Sequence, residues 1–214
     1  GTTGRPKGVM VEHASVNNYL CWFGDSLDLS EEDKSVLTSS YSFDLGNSIL
    51  FPLFVVGGEI HIVQRQLIYL PVDLLDYINR NKITYLKITP SLLSTFSTVD
   101  KGSNKWSALK SIVLGGEALL KEIIENSPFN SVNYINEYGP TETTVGSVVG
   151  KVSYGILDLG IGSIDIGTPI QNTKVYVLDV HLIPVPVGVI GELYIGGAGV
   201  ARGYLNNEVL TAER

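Results

Sequence analysis

The sequence has few of the residues that build disulfide-linked or metal-held folds. Among its 214 residues there is one cysteine, Cys21, which excludes an internal disulfide and any site made of several cysteines. The three histidines, His13, His61 and His181, lie too far apart in the chain to suggest a shared set of metal ligands. So little cysteine is typical of a reducing compartment, and we expect a cytoplasmic protein.

Positive charge and long apolar runs are also scarce. Lysine and arginine number 15 against 22 aspartates and glutamates, which gives a formal net charge of -7. Because nucleic acids bind to stripes of basic residues, and no such stripe is present, we expect no nucleic-acid partner. The most apolar stretch, residues 48–58, is interrupted by Pro52 and is shorter than the roughly 20 residues that span a bilayer. We therefore expect no membrane association.

The residues that are present predict a globular α/β protein. Hydrophobic residues make up 44% of the chain and charged residues 17%, which is enough apolar material for a substantial core. Residues 17–27 and 71–82 have the apolar spacing of helices, and in the second Leu74, Leu75 and Ile78 fall on one side. Compact β-branched runs are typical of strands, and they occur at residues 59–63, 83–88 and 111–116.

The order of these elements predicts two units. Strands that alternate with helices favour a layered α/β unit with mainly parallel strands, which we assign to residues 1–142. From Gly160 onward, strands are separated by proline and glycine turns with little helical period. This pattern predicts antiparallel hairpins in a truncated β-rich unit, residues 143–214.

The first eight residues, GTTGRPKG, have the composition of a phosphate-binding turn. A glycine-rich turn can point several backbone N–H groups at one anion, and Thr2 and Thr3 add hydroxyl donors. Lys7 adds a mobile positive charge. The stretch is not a Walker loop, because Pro6 precedes the lysine and Gly8 follows it in place of Ser or Thr. By itself it fits an ordinary surface turn as well as a phosphate site.

Four further stretches follow this turn in order along the chain. They are YSFDLGNSILFPLFVVGGEIHIV (41–63), VLGGEAL (113–119), INEYGPTETTVG (135–146) and GELYIGGAGVARGYL (191–205). Together with the opening turn they resemble the adenylation domains of nonribosomal peptide synthetases, within the adenylate-forming superfamily that includes acyl-CoA synthetases and luciferases. The resemblance covers essentially the whole chain. It implies an α/β fragment of the large N-terminal subunit, with a layered α/β subdomain followed by a β-rich distorted barrel.

The resemblance also implies an activity. Enzymes of this family are ligases that use ATP and Mg²⁺ to activate an amino acid as aminoacyl-AMP, with release of pyrophosphate. The aminoacyl group then passes to the phosphopantetheine thiol of a peptidyl carrier domain, beside further synthetase modules of the parent protein. The family's later ribose-binding aspartate, hinge and C-terminal catalytic lysine have no counterpart in the sequence, so we expect the fragment alone to be inactive. The alternatives are an acyl- or aryl-CoA ligase and a non-catalytic nucleotide-binding fragment.

The resemblance assigns the ATP site residue by residue. A flat ring at Tyr138 suits stacking on a purine, and Glu142 beside two phosphates suits a Mg²⁺ ligand. From the residues alone, Tyr138 could equally belong to a packed turn, and Glu142 could be a solvated carboxylate at a helix start. The implied cofactor-binding residues are Thr2, Thr3, Gly4, Lys7, Gly116, Asn136, Glu137, Tyr138 and Thr141. The implied catalytic residues are Lys7, Thr141 and Glu142, and the implied metal ligand is Glu142.

Asp44, in the motif SFDLG, distinguishes amino acids from other acids. Peptide synthetases place an aspartate here to pair with the substrate ammonium, whereas CoA ligases have no need of a pocket anion. At an effective dielectric near 20 such a close pair gains about 4 kcal/mol of gross attraction. By the same correspondence the other substrate-binding positions are Leu45, Ser48, Lys87, Val113, Gly115, Glu137, Val145 and Gly146.

Lys87 and Glu137 are the charged members of this pocket set. A buried cation is costly unless it meets an anion or a carbonyl dipole, so Lys87 in the pocket would select a substrate side chain that carries oxygen. The alternative is that strand alternation turns Lys87 to solvent. Glu137 can accept a hydrogen bond from an amide N–H but repels a second carboxylate. We therefore expect L-asparagine as the substrate, with L-aspartate as the second choice.

Overall fold

A computed structural model describes residues 7–98, 106–152 and 162–213. The helices in these ranges are α1 (His13–Leu27), α2 (Asp44–Val56), α3 (Arg65–Ile68), α4 (Pro71–Arg80), α5 (Pro90–Thr95), α6 (Lys121–Glu125) and α7 (Glu208–Ala212). The strands are β1 (Lys34–Val36), β2 (Glu59–His61), β3 (Tyr85–Ile88), β4 (Ser111–Gly115), β5 (Asn133–Tyr138), β6 (Val148–Val152), β7 (Thr168–Pro169), β8 (Thr173–Leu178) and β9 (Glu192–Gly197). The expected mixed α/β class is confirmed. Within the described ranges, none of these helices has the length and apolar character needed to cross a bilayer.

The central sheet has the strand order β3-β4-β5-β6-β7. Strands β3, β4 and β5 are parallel to one another, whereas β6 and β7 are added antiparallel. The parallel pair β1–β2 adjoins β3 through a hydrogen bond from the Thr84 N–H to the Lys34 carbonyl, 2.9 Å long. Strands β8 and β9 form a separate antiparallel pair, as the turn-rich pattern predicts. The division at residues 142 and 143 stays a prediction, and the strand pairing itself changes later, between β7 and β8.

Helices cover both faces of the three parallel strands. On one face, helix α4 begins with a proline at its first position and buries its predicted apolar side. On the other face, α1 and α2 pack aromatic and aliphatic side chains against the sheet. The first layer includes Leu74, Leu75, Ile78, Leu86, Ile88, Ile112 and Leu114, and the second includes Tyr19, Phe23, Ile49, Leu53, Tyr85, Val113 and Ile135. This burial on both sides is what the apolar composition of β3 and β4 requires.

The carboxyl ends of β3, β4 and β5 lie side by side at one edge of the sheet. In register, Lys87 lies opposite Val113, and Gly115 lies opposite Glu137. Open α/β sheets bind ligands outside the carboxyl ends of their parallel strands. Motifs that are far apart in the sequence therefore meet at this edge of the sheet.

Candidate active site

A cleft of about 440 Å³ opens beside the ends of β4 and β5. Gly116 follows β4 at φ 85°, a backbone conformation that strongly favours glycine, and it presents no side chain. Tyr138 ends β5 with 41% of its surface exposed, which leaves a flat aromatic face available. The residues that face each other across the cleft include Gly116, Glu117, Asn136, Tyr138, Pro140 and Ile164. Its shape and lining suit a flat ring.

Asn136, on strand β5, is hydrogen-bonded to the segment around Asp165 on the far side of this cleft. Its side chain is buried, and Nδ2 donates to the carbonyl of Asp165 at 2.8 Å. Since the amide nitrogen is committed to the backbone, Oδ1 is the group that remains to meet a purine amino group. The expected adenine contact of Asn136 is thus narrowed to one atom and stays a prediction.

Asp44 and Thr141 touch each other. The Thr141 hydroxyl donates to Asp44 Oδ2 at 2.6 Å, and Asp44 Oδ1 accepts from the Leu45 N–H at 2.8 Å. Asp44 is the first residue of α2, where the helix dipole favours an anion. The residue expected at the substrate ammonium and the residue expected at the α-phosphate therefore lie in direct contact across 97 positions of sequence.

Lys7 and Glu142 meet through Tyr204, a residue that sequence reasoning did not identify. The Tyr204 hydroxyl donates to Glu142 Oε1, and Lys7 Nζ lies 5.9 Å from the centroid of the Tyr204 ring. Tyr204 is only 5% exposed. The end of the opening turn and the expected Mg²⁺ ligand are therefore joined by one aromatic side chain. Glu142 lies in the first turn of a short 3₁₀ helix, as the alternative interpretation has it, but it is half-buried and hydrogen-bonded and so is not freely solvated.

Backbone hydrogen bonds hold this arrangement. The Met10 N–H donates to the Gly203 carbonyl at 2.8 Å, and the Leu205 N–H donates to the Gly8 carbonyl at 2.7 Å. The end of the stretch 191–205 thus pairs with the N-terminal segment, with Val9 opposite Tyr204. The expected phosphate contacts of Thr2, Thr3 and Gly4 lie outside the described residues and stay predictions.

Lys87 and Glu137 form a buried ion pair. Their side chains are 2% and 1% exposed, and Lys87 Nζ donates to Glu137 Oε2. The alternative in which Lys87 turns to solvent is therefore wrong. Gly146 makes room for the carboxylate, because a Cβ at that position would lie 2.0 Å from Glu137 Oε1. Lys87 reaches Glu137 past Gly115, where a Cβ would lie 3.2 Å from its Nζ.

The remaining pocket residues surround this pair. Ser48 is fully buried on α2, and its hydroxyl donates to the Leu45 carbonyl at 2.7 Å. Val113 is buried on β4, and Val145 packs against the same cluster. These three positions therefore lie in the layer that α1 and α2 form against the sheet, although their role stays a prediction.

A Mg²⁺ ion fits this site only if most of its ligands come from elsewhere. Over the described residues, no cluster of three or more His, Cys, Asp or Glu side chains could hold a metal. Glu142 offers one carboxylate whose Oε1 already accepts from Tyr204, so Oε2 is available to an ion. Mg²⁺ commonly takes one or two carboxylates and completes its shell with phosphate oxygens and water. The residues are consistent with that kind of site.

Another cleft, of about 620 Å³, lies at the opposite edge of the sheet. It is lined by residues such as Asp28, Lys110, Asn133 and Lys151, and it contains none of the expected site residues. Size alone therefore does not identify the site, and the candidate site is instead the edge where the charged and hydroxyl groups converge.

Comparison with known proteins places most of the chain in the family that its sequence motifs resemble. A family model described as "AMP-binding enzyme" matches residues 1–205. Surfactin synthase subunit 2 of Bacillus subtilis is 45% identical over 219 residues, covering 100% of this chain and 6% of that protein. Bacitracin synthase 3 of Bacillus licheniformis is 42% identical over 219 residues, covering 100% of this chain and 3% of that protein. The chain thus spans a small part of these relatives.

Solved structures extend the comparison to the fold. A four-domain nonribosomal peptide synthetase bound to AMP and glycine superposes with a TM-score of 0.84 at 35% identity, covering 98% of this chain and 15% of that one. The N-terminal subdomain of Klebsiella oxytoca NpsA, in complex with 3-hydroxybenzoyl-AMSN, has a TM-score of 0.79 at 24% identity and shows the fold alone. This chain covers 54% of that subdomain.

Proposed function

The chain belongs to the family of AMP-binding enzymes and corresponds to part of a nonribosomal peptide synthetase adenylation domain, and from this premise we propose that its parent protein activates an amino acid as aminoacyl-AMP. ATP is the second substrate, and pyrophosphate leaves. The aminoacyl group then passes to a phosphopantetheine thiol on a peptidyl carrier domain, with neighbouring synthetase modules as partners, in the cytoplasm. The observation that carries the proposal is the contact between Asp44 and Thr141.

That contact supports the proposal, because it would bring the two reacting groups, the substrate carboxylate and the α-phosphorus, close together. With Asp44 holding the ammonium and Thr141 holding the α-phosphate, the carboxylate of the same amino acid lies close to the α-phosphorus. A carboxylate oxygen attacks phosphorus as the bond to the pyrophosphate oxygen breaks, so no proton transfer is needed. Catalysis then consists of positioning and of charge neutralisation, to which Lys7 contributes.

The proposed nucleotide contacts follow from the residues that line the cleft. Tyr138 supplies a stacking face for adenine, Gly116 leaves it room, and Asn136 Oδ1 accepts from its amino group, with the Glu137 backbone beside the ring. Glu142 Oε2 would hold Mg²⁺, which neutralises phosphate charge when bound. Tyr204 keeps the other oxygen of Glu142 occupied and so orients the carboxylate.

We propose L-asparagine as the substrate, with L-aspartate as the alternative. The buried Lys87–Glu137 pair is neutral overall. A neutral side chain can be placed beside it at little electrostatic cost, whereas the carboxylate of aspartate would add an uncompensated buried charge. Glu137 Oε1 remains as an acceptor for an amide N–H.

The test is amino-acid-dependent ATP–pyrophosphate exchange by the complete adenylation domain, with twenty amino acids and several organic acids. We expect asparagine to give the dominant signal. A signal from a different amino acid would keep the reaction and reject the pocket assignment. A signal only from acids without an amino group would place the protein with the CoA ligases, and no signal at all would indicate a non-catalytic nucleotide-binding module.

Tyr204→Phe tests the orientation of Glu142. The variant keeps the ring beside Lys7 but loses the hydrogen bond to the carboxylate, and bonds to charged groups contribute about 1.5–3 kcal/mol. We expect kcat/KM for Mg·ATP to fall about tenfold or more and the half-saturating Mg²⁺ concentration to rise, with the KM for the amino acid unchanged. Tyr176→Phe, at a half-exposed tyrosine on β8, is the control. An unaltered Mg²⁺ dependence in Tyr204→Phe would contradict the assignment.

A further inference from the structure

Two buried polar atoms at the ion pair make no hydrogen bond of normal geometry. Over the described residues, Glu137 Oε1 and the Tyr19 hydroxyl are both enclosed without such a bond, although the two side chains lie close enough to interact with each other. Buried polar groups are nearly always paired, because an unpaired one forfeits its hydration without compensation. Two adjacent polar atoms without a well-formed hydrogen bond would gain from a further polar partner.

The two atoms are neighbours. Burial, to which the nearby Glu137 carboxylate adds, raises the pKa of Tyr19 well above its usual range. The phenol therefore stays protonated and presents an O–H donor, while Glu137 Oε1 presents an acceptor. Ser48, one of the expected pocket residues, lies beside the same hydroxyl.

Tyr19 is held rigidly in this position. It lies on α1, and its ring is only 2% exposed. It packs against Phe23 with ring centroids 5.4 Å apart and against Trp22 with centroids 6.0 Å apart. Because aromatic neighbours fix the ring, the hydroxyl is preorganised and loses little freedom when a ligand binds.

We propose that Tyr19 is a further specificity-determining residue, whose hydroxyl donates to the carbonyl of a substrate side-chain amide while Glu137 Oε1 accepts from its N–H. A primary amide offers one acceptor and two donors, so it satisfies both atoms together. The inference rests on the proposed amino-acid activation and deepens it, because Tyr19 lies outside the pocket positions that the family resemblance supplies.

Leucine is the comparison substrate, since its side chain has nearly the shape of asparagine but no polar atoms. In the intact protein, Tyr19→Phe should lower kcat/KM for asparagine in ATP–pyrophosphate exchange about tenfold, through the KM for asparagine. The KM for ATP should stay unchanged, and the rate with leucine should not fall. The ratio of kcat/KM for asparagine to kcat/KM for leucine therefore drops by the same factor.

Tyr85→Phe is the matched control. Tyr85 is also a buried tyrosine of the α1–sheet layer, but its hydroxyl donates to the Ile49 carbonyl and has Asp33 and Ser35 as its polar neighbours. This variant should keep the wild-type ratio of kcat/KM for asparagine to kcat/KM for leucine. An unchanged ratio in Tyr19→Phe, or an equal drop in both variants, would overturn the proposal.

The wild-type protein separates this proposal from the proposed function. A wild type that prefers leucine over asparagine overturns the amide subsite and leaves amino-acid activation standing. A wild type that shows no exchange with any amino acid overturns both. Preference for asparagine, together with the loss in Tyr19→Phe alone, supports both.

Discussion

Replacing Glu137 by leucine is expected to destabilise the complete adenylation domain by about 3–5 kcal/mol. The change leaves Lys87 as a charge enclosed in the layer beneath α1 and α2, without its only ion-pair partner among the described residues. Removing one member of a buried pair costs that much because the other member cannot recover its hydration. Urea-induced unfolding, followed by tryptophan fluorescence, measures the loss.

The double variant Lys87→Met with Glu137→Leu separates charge from packing. It removes both charges, so most of the lost stability should return, while the preference for asparagine should be abolished. Arg80→Met is the control, because the Arg80–Asp76 pair on α4 is exposed and should change the free energy of unfolding by less than about 1 kcal/mol. A Glu137→Leu variant as stable as wild type would mean that Lys87 reaches water or another anion.

Asp44→Ala is expected to lower asparagine-dependent pyrophosphate exchange about a hundredfold or more. Truncating one partner of an enclosed charge pair typically costs 2–5 kcal/mol, roughly 30-fold to several thousand-fold. The loss should appear as a weaker affinity for the amino acid, because Asp44 contacts the substrate ammonium in the proposed complex, whereas the cleft proposed for adenine is not lined by Asp44.

Asp44→Asn provides the comparison. Asparagine keeps the size of the side chain and an oxygen that can accept from Thr141, but it removes the charge. We expect a loss nearly as large as in Asp44→Ala, with the affinity for ATP retained. Full activity in both variants would reject the ammonium anchor and favour a CoA ligase, which needs no anion at this place.

Local patterns predicted part of the scaffold. The apolar side of α4 and the strands β2, β3 and β4 follow from periodicity and β-branched composition, and α4, β3 and β4 bury the surface that their own sequence defines. The orientation of Lys87 could not be predicted in this way. All four residues of β3 are buried, so alternation carries no information about which face meets water.

The contacts that shape the site are mostly non-local. Asn136 is bound to Asp165, 29 positions away, and Tyr204 is bound to Glu142, 62 positions away. No spacing rule relates such residues, so only the fold reveals that a tyrosine in a glycine-rich stretch orients a carboxylate. Resemblance identified the motifs, and the strand register explains why Lys87 and Glu137 meet.

The pairing of residues 8–10 with residues 203–205 has a consequence for the order of folding. These segments are separated by almost the whole chain, so their union closes a very long loop and depends on everything between them. During synthesis the ribosome releases the early segment long before its partner exists. A chain that stops before residue 203 lacks both this pairing and Tyr204, the side chain that lies between Lys7 and Glu142.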